Sequence, residues 1–118
     1  MEGSYDPDCR RCMPWDDIDA GKKDTEINEM KKLISMRKTF QSCKSRNFHF
    51  PNDIPKERVI SYLKIGESES IQVYLNCEEE PVAISCDKET DIIYSRKWTS
   101  SSDGNGVLEP NGILIVKK

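Results

Sequence analysis

The sequence predicts a mainly β protein, in which an antiparallel β-sandwich of Greek-key type follows a loop and one α-helix. Three observations predict this fold class. Apolar residues recur at steps of three and four from Ile27 to Phe40, as they do along one side of a helix. From Arg46 onward, apolar and polar residues alternate in about seven short runs bounded by turn residues. Before residue 24 neither periodicity is present, and Pro7 and Pro14 predict a stiff loop.

Composition narrows the class of protein. The 118 residues suffice for one ordinary domain, and a net charge of −3 weighs against nucleic acid as a partner. No apolar run is long enough to cross a bilayer, and no secretory signal is visible, so we expect a cytoplasmic protein without a membrane partner. The cysteines are odd in number and unevenly spaced, which indicates reduced thiols: Cys9, Cys12, Cys43, Cys77 and Cys86. We expect no cofactor and no metal.

The helix is predicted to begin at Asp24 or Thr25, which are credible N-caps, and to end near Cys43. Lys38 and Lys44 then lie near its negative end. An amphipathic helix needs a surface to cover. That surface is either the sandwich or a partner absent from this chain, so the order of elements suggests a fragment of a longer protein.

The strands are predicted from period-two alternation. In the second of them Val59, Ser61, Leu63 and Ile65 share one face. The turn Pro110-Asn111-Gly112 is predicted to close a final hairpin. The predicted strands span residues 47–50, 58–65, 70–77, 81–86, 91–94, 106–108 and 113–116.

Four segments together carry a resemblance to a known family. Residues 2–16 read Glu-Gly-Ser-Tyr-Asp-Pro-Asp-Cys-Arg-Arg-Cys-Met-Pro-Trp-Asp, and residues 32–38 read Lys-Leu-Ile-Ser-Met-Arg-Lys. Residues 71–76 read Ile-Gln-Val-Tyr-Leu-Asn, and Leu108-Glu109-Pro110 precedes a final strand. These segments resemble the C-terminal part of α-amylase-family glycoside hydrolases, most closely the neopullulanase, cyclomaltodextrinase and maltogenic amylase group.

The resemblance implies a placement for each segment. Residues 1–45 would be the final loop and last helix of a truncated (β/α)₈ barrel, and residues 46–118 the C-terminal β-sandwich domain. Asp6 and Arg10 match positions that contact sugar hydroxyls, where charge-assisted hydrogen bonds fix orientation. The catalytic carboxylates of the family lie in earlier barrel segments, so no residue here is predicted to be catalytic.

The resemblance therefore implies that this chain functions as one portion of a larger glycoside hydrolase. The parent protein would be a retaining hydrolase of α-1,4 linkages in cyclodextrin, pullulan or maltodextrin, with α-1,6 linkages left open, whereas this chain by itself is predicted to be inactive. Its partners would be an α-glucan oligosaccharide through the parent enzyme, the rest of the catalytic barrel, and a second copy through the exposed helix face.

Alternatives remain open at this point. Asp6 and Arg10 could instead be a structural pair that holds the loop. The Cys9-x-x-Cys12 spacing suits zinc or redox chemistry, but it lacks two further ligands and a helix N-terminus. The chain could also be a non-catalytic module that stabilises a barrel or binds glucan. Exposed aromatic side chains would favour glucan binding, and the sequence shows no evident cluster among Tyr62, Tyr74, Tyr94 and Trp98.

Overall fold

The computed structural model describes residues 12–87 and 90–118. The chain divides into two compact units, Met1–Lys32 and Leu33–Lys118. Helix α1 spans Trp15–Asp19, helix α2 spans Asp24–Thr39, and a short 3₁₀ helix spans Gln41–Lys44. The strands are β1 Phe48–His49, β2 Val59–Ile65, β3 Ser70–Asn76, β4 Val82–Ile84, β5 Asp91–Ser100 and β6 Gly106–Lys117.

The strands form one curled antiparallel sheet. Its hydrogen-bonded order is β1-β2-β3-β6-β4, and β5 lies on the other side of β6. The prediction of a mainly β, antiparallel fold that follows a loop and helix is confirmed. The predicted boundary between residues 45 and 46 stays a prediction.

Two helical predictions need correction. Helix α1 lies in the segment that was predicted to be a loop. It forms there because Pro14 precedes it and because Asp16 and Asp17 fill its first turn, where the helix dipole favours acidic groups. The main helix ends at Thr39 rather than near Cys43, and the chain continues as the 3₁₀ helix after Phe40, which has an extended backbone.

The predicted final hairpin is wrong. Residues 106–108 and 113–116 belong to one strand, β6, and both parts pair with β5. The hairpin turn lies instead between β5 and β6, so β5 runs to Ser100 rather than to residue 94. Pro110 cannot donate to a ladder, and Asn111 has a positive φ of 60°. These residues form a bulge inside a strand. The Pro-Asn-Gly sequence had predicted a hairpin turn at this position.

The bulge bends β6, and the two halves of this strand pair with different neighbouring strands. Leu108 lies opposite Trp98 and Ile113 lies opposite Arg96, which leaves residues 109–112 facing Lys97 alone. Before the bulge β6 pairs with β4, and after it β6 pairs with β3. Gly106 is required at the start of β6, since a Cβ there would overlap the ring of Trp98. Because a bulge bends its strand and increases the local twist, this one contributes to the curl of the sheet.

The curled sheet carries apolar residues on both faces. One cluster packs β4 and both halves of β6 against β2, and consists of Val59, Val82, Ile84, Leu108, Leu114 and Val116. The second cluster lies on the other face and consists of Cys43, Ile71, Val73 and Ile115, with Met36 and Phe40 packed against it. The predicted alternation of β2 and β3 thus holds, although the apolar residues of the two strands lie on opposite faces.

The end of α2 uses only part of its apolar surface. Met36 packs on the sheet, whereas Ile34 is 48% exposed. At about 100° per residue the two side chains project roughly 160° apart around the helix. By sequence spacing Met30 falls on the same side as Ile34, and it too is exposed. The helix therefore has a second apolar side that the described residues leave uncovered.

Asn76 joins three segments at the end of β3. Its side chain is 1% exposed. Its amide nitrogen donates to the carbonyl of Leu108 at 2.8 Å and to that of Glu80 at 3.0 Å. Its amide oxygen accepts from the backbone nitrogen of Glu78 at 2.9 Å. One buried side chain thus satisfies polar backbone groups of the β3–β4 connection and of β6.

We expect Asn76→Ala to lower the free energy of unfolding by about 3 kcal/mol, because buried carbonyls lose their donor. Asn76→Asp should be at least as damaging, since a carboxylate would face two carbonyl oxygens. Urea denaturation measures both variants, with the exposed Asn52→Ala as the matched control. Equal stability of the three proteins would contradict this role for Asn76.

We expect the 118-residue chain to self-associate as its concentration rises, because the exposed side of α2 is apolar. Ile34→Glu should shift sedimentation velocity profiles toward monomer. Ser35→Glu adds the same charge at the neighbouring exposed position and should leave association unchanged. A monomeric wild-type chain at high concentration would contradict the expectation.

Candidate functional site

The predicted substrate-binding residues, Asp6 and Arg10, lie outside the residues that the structure describes. Their role in sugar contact and the competing structural pairing both stay predictions. The same holds for the Cys9-x-x-Cys12 spacing, because Cys9 also lies outside. Cys12 is described, and its thiol is exposed and free.

The described end of the loop forms a shallow surface concavity of about 360 Å³. It is lined by five consecutive residues, Met13, Pro14, Trp15, Asp16 and Asp17. The Asp17 carboxylate pairs with the Lys22 ammonium at 3.4 Å. The surface combines an exposed indole ring with carboxylates, which could accept hydrogen bonds from neutral hydroxyl groups.

The described thiols do not assemble into a reactive centre. Cys43 is buried, and burial raises its pKa. Cys86 packs against the first core cluster, and burial raises its pKa as well. The predicted strand 70–77 included Cys77, but β3 ends at Asn76 and the Cys77 thiol is exposed. Within residues 12–87 and 90–118, no group of three His, Cys, Asp or Glu side chains could hold a metal ion.

The backbone of Cys43 links the helix to the sheet. Its carbonyl oxygen accepts a hydrogen bond from Nη1 of Arg37 at 3.3 Å. The Lys64 ammonium of β2 donates to the same oxygen. Two cationic donors on one carbonyl satisfy the end of the 3₁₀ helix, which gives Arg37 of the family-like segment a structural role.

An open concavity of about 460 Å³ lies beside this junction. It is lined by Gln41, Lys44, Ser45, Asn47, Ile65, Gly66 and Glu67. The Ser45 hydroxyl donates to the carbonyl of Ile65 and accepts from the backbone nitrogen of Asn47. The polar side chains that line this surface thus serve in part to hold the chain between the 3₁₀ helix and β1.

Three aromatic side chains gather on the outer edge of the sheet. The ring centroids of Phe48 and Phe50 lie 5.9 Å and 6.5 Å from that of Tyr62. Phe48 is 51% exposed and Phe50 is 68% exposed. We call Phe48, Phe50 and Tyr62 the edge aromatic surface. Phe48 and Phe50 lie two residues apart in the predicted strand 47–50, a spacing that signals a shared face, yet only Tyr62 was weighed as a sugar-binding aromatic.

None of the described helices is long and apolar enough to span a membrane. No protein-family profile matches the chain. Comparison with curated proteins nevertheless finds clear relatives. The chain is 33% identical over 119 residues to a cyclomaltodextrinase of Thermoanaerobacter pseudethanolicus, which covers 99% of the chain and 20% of that protein. A Bacillus cyclomaltodextrinase is 26% identical over 87 residues, 73% of the chain and 15% of the relative. One from Geobacillus thermopakistaniensis is 29% identical over 85 residues, 71% of the chain and 14% of the relative.

Solved structures show the same fold. An α-amylase from H. orenii superposes with a TM-score of 0.58 at 12% identity, over 77% of the chain and 20% of that protein. A trehalose-6-phosphate hydrolase of Bacillus licheniformis superposes with a TM-score of 0.56 at 16% identity, over 74% and 17%. The resemblance recognised in the sequence is confirmed, and the chain spans about a fifth of the first relative's length.

Proposed function

We propose that this relative of the cyclomaltodextrinases is the C-terminal portion of an α-glucan-degrading glycoside hydrolase that acts on cyclodextrin, pullulan or maltodextrin. One observation carries the proposal: a cyclomaltodextrinase matches 99% of this chain, while the chain accounts for only 20% of that protein. The remaining four fifths would contain the catalytic carboxylates, and this chain would supply a substrate-contacting loop and a structural β domain in the cytoplasm.

Helix α2 has two apolar sides, which supports a position between the β sheet and a second protein surface. Met36 and Phe40 pack on the second core cluster, while Ile34 remains exposed. A helix that covers a sheet with one side and exposes apolar residues on another is suited to a second packing partner. In this proposal the partner is the rest of the barrel, and residues 1–45 complete that barrel ahead of the β domain at 46–118. Self-association through the same side would occur where the barrel is absent.

The substrate contact is proposed for Asp6 and Arg10. The segment that contains them resembles the loop after the eighth barrel strand, and loops at that end of a barrel form active sites. An Asp acceptor and an Arg donor can fix the hydroxyls of an uncharged sugar on the non-reducing side of the cleaved bond.

A second candidate function is a non-catalytic module that stabilises a barrel or binds glucan. The edge aromatic surface favours it, because exposed aromatic rings were the feature expected of a glucan-binding module. The two candidates differ in what the chain does alone, since a module of this kind would bind glucan without any barrel.

The isolated chain should release no reducing sugar from cyclodextrin or pullulan. A retaining glycosidase needs two carboxylates about 5–5.5 Å apart across the scissile bond, and the proposal assigns both to the missing four fifths. A reducing-end assay on purified chain tests this, with an intact cyclomaltodextrinase as the positive control. Turnover that follows the 118-residue chain through purification would overturn the assignment.

In an intact enzyme that carries this C-terminal portion, Asp6→Ala and Arg10→Ala should each lower kcat/KM for short maltooligosaccharides. We expect about tenfold or more, the effect of losing a charge-assisted hydrogen bond. Asp19→Ala, an exposed carboxylate at the end of helix α1, is the matched control and should change kcat/KM much less. Unchanged kinetics for both loop variants would leave Asp6 and Arg10 with a structural role.

A further inference from the structure

Two asparagines of this chain are followed by glycine, in the pairs Asn105–Gly106 and Asn111–Gly112. An Asn–Gly pair can rearrange without an enzyme, because glycine has no side chain to hinder attack of its backbone nitrogen on the asparagine amide. Both asparagines are exposed, so sequence and exposure do not distinguish them. Their hydrogen bonds and their positions in the sheet do distinguish them.

Asn105 is held by several hydrogen bonds at the turn between β5 and β6. Its side-chain nitrogen donates to Oδ2 of Asp103 at 3.1 Å, and its backbone nitrogen donates to Oδ1 at 3.3 Å. Its carbonyl oxygen accepts from the backbone nitrogen of Ser101 at 2.7 Å and from the Ser101 hydroxyl at 2.9 Å. Hydrogen bonds from Ser101 and Asn105 also lower the pKa of Asp103, so that its carboxylate stays an acceptor. Gly106, whose nitrogen would attack, pairs with β4 on one side and β5 on the other.

Asn111 lies in the bulge of β6 without comparable contacts. Its φ of 60° is left-handed, a conformation that asparagine tolerates better than most residues. Its side-chain amide has no hydrogen-bond partner among the residues that the structure describes. Pairing with β4 ends at Leu108 and pairing with β3 begins at Ile113, so the peptide bond between Asn111 and Gly112 lies outside both ladders. Rotation there breaks fewer contacts than rotation at Asn105.

We propose that Asn111 is a site of spontaneous deamidation in the folded protein, and that Asp103 protects Asn105 from the same reaction. The backbone nitrogen of Gly112 attacks Cγ of Asn111 and gives up its proton. The bond from Cγ to the side-chain nitrogen breaks, and that nitrogen leaves with the proton as ammonia. Water then opens the cyclic imide at either of its carbonyl carbons, which leaves aspartate or isoaspartate at position 111.

The position of Asn111 gives this reaction a structural consequence. Isoaspartate routes the main chain through Cβ, so that β6 becomes one backbone atom longer inside the bulge. The bulge separates the half of β6 that pairs with β4 from the half that pairs with β3. Both halves contribute to the first core cluster, through Leu108 and Leu114. We therefore expect the modified chain to be less stable than the original one.

The test is incubation of the intact 118-residue chain at mildly alkaline pH, which favours loss of the attacking nitrogen's proton. Cleavage after Glu109 places Asn105 and Asn111 in separate peptides, and mass spectrometry after incubation in heavy-oxygen water measures deamidation of each. In the folded chain we expect Asn111 to react about tenfold faster or more, since the hydrogen bonds around Asn105 must open first. In urea the two rates should converge.

Two variants separate the parts of the proposal. Asp103→Ala should raise the rate at Asn105 toward its rate in urea and leave the rate at Asn111 unchanged. Ser102→Ala, at the neighbouring exposed position, is the matched control and should change neither rate. Asn111→Gly suits a positive φ and removes the reactive amide. Its midpoint of urea denaturation should stay constant during incubation, whereas that of the wild-type chain should fall.

Equal rates at the two asparagines in the folded chain, or a faster rate at Asn105, would overturn the proposal. So would an Asn111 that stays intact in the folded chain for as long as the urea-unfolded chain needs to deamidate. An unchanged rate at Asn105 in Asp103→Ala would remove the protecting role of that carboxylate. The comparison of folded and unfolded wild-type chain decides the site even where a variant fails to fold, and it requires neither sugar nor enzymatic activity.

Discussion

The hydrogen bonds of Asn76 are the constraint on which the β domain depends. Its amide reaches the carbonyl of Leu108 across the sheet and closes the connection from β3 to β4 through Glu78 and Glu80. Leu108 is fully buried and precedes the bulge that bends β6. The contact therefore fixes where β6 leaves β4 and turns toward β3. A buried amide of this kind specifies one arrangement, because every alternative leaves a polar group unpaired.

The bend in β6 explains how so small a sheet has two cores. Successive residues of β6 point to opposite faces, so Leu114 and Val116 enter one cluster and Ile115 enters the other. The first face is covered by the sheet's own curl, since β4 and Leu108 pack against β2. The second face needs another element, and Met36, Phe40 and Cys43 provide it. The pair of hydrogen bonds from Arg37 and Lys64 to the Cys43 carbonyl holds that covering segment in place.

The uncovered surfaces connect this architecture to function. The aliphatic side of α2 suits packing against a larger protein, as expected for a chain that matches about a fifth of a cyclomaltodextrinase. The edge aromatic surface consists of Phe48 on β1, Phe50 just after that strand and Tyr62 on β2, outside the segments that carry the family resemblance. In the proposed enzyme, the C-terminal portion would complete the barrel.

The sequence by itself determined the order of loop, helix and β domain, because periods of 3.6 and 2 are local consequences of helix and strand geometry. It also determined the relationship to cyclomaltodextrinases, through the segments around Asp6, Arg37 and Asn76. Only the tertiary structure decided that Pro110 to Gly112 form a bulge, since a turn and a bulge use the same residues and differ in which strand lies opposite. It likewise decided that Phe48 and Phe50 meet Tyr62, because such contacts depend on strand register, which the alternation of a single strand does not specify.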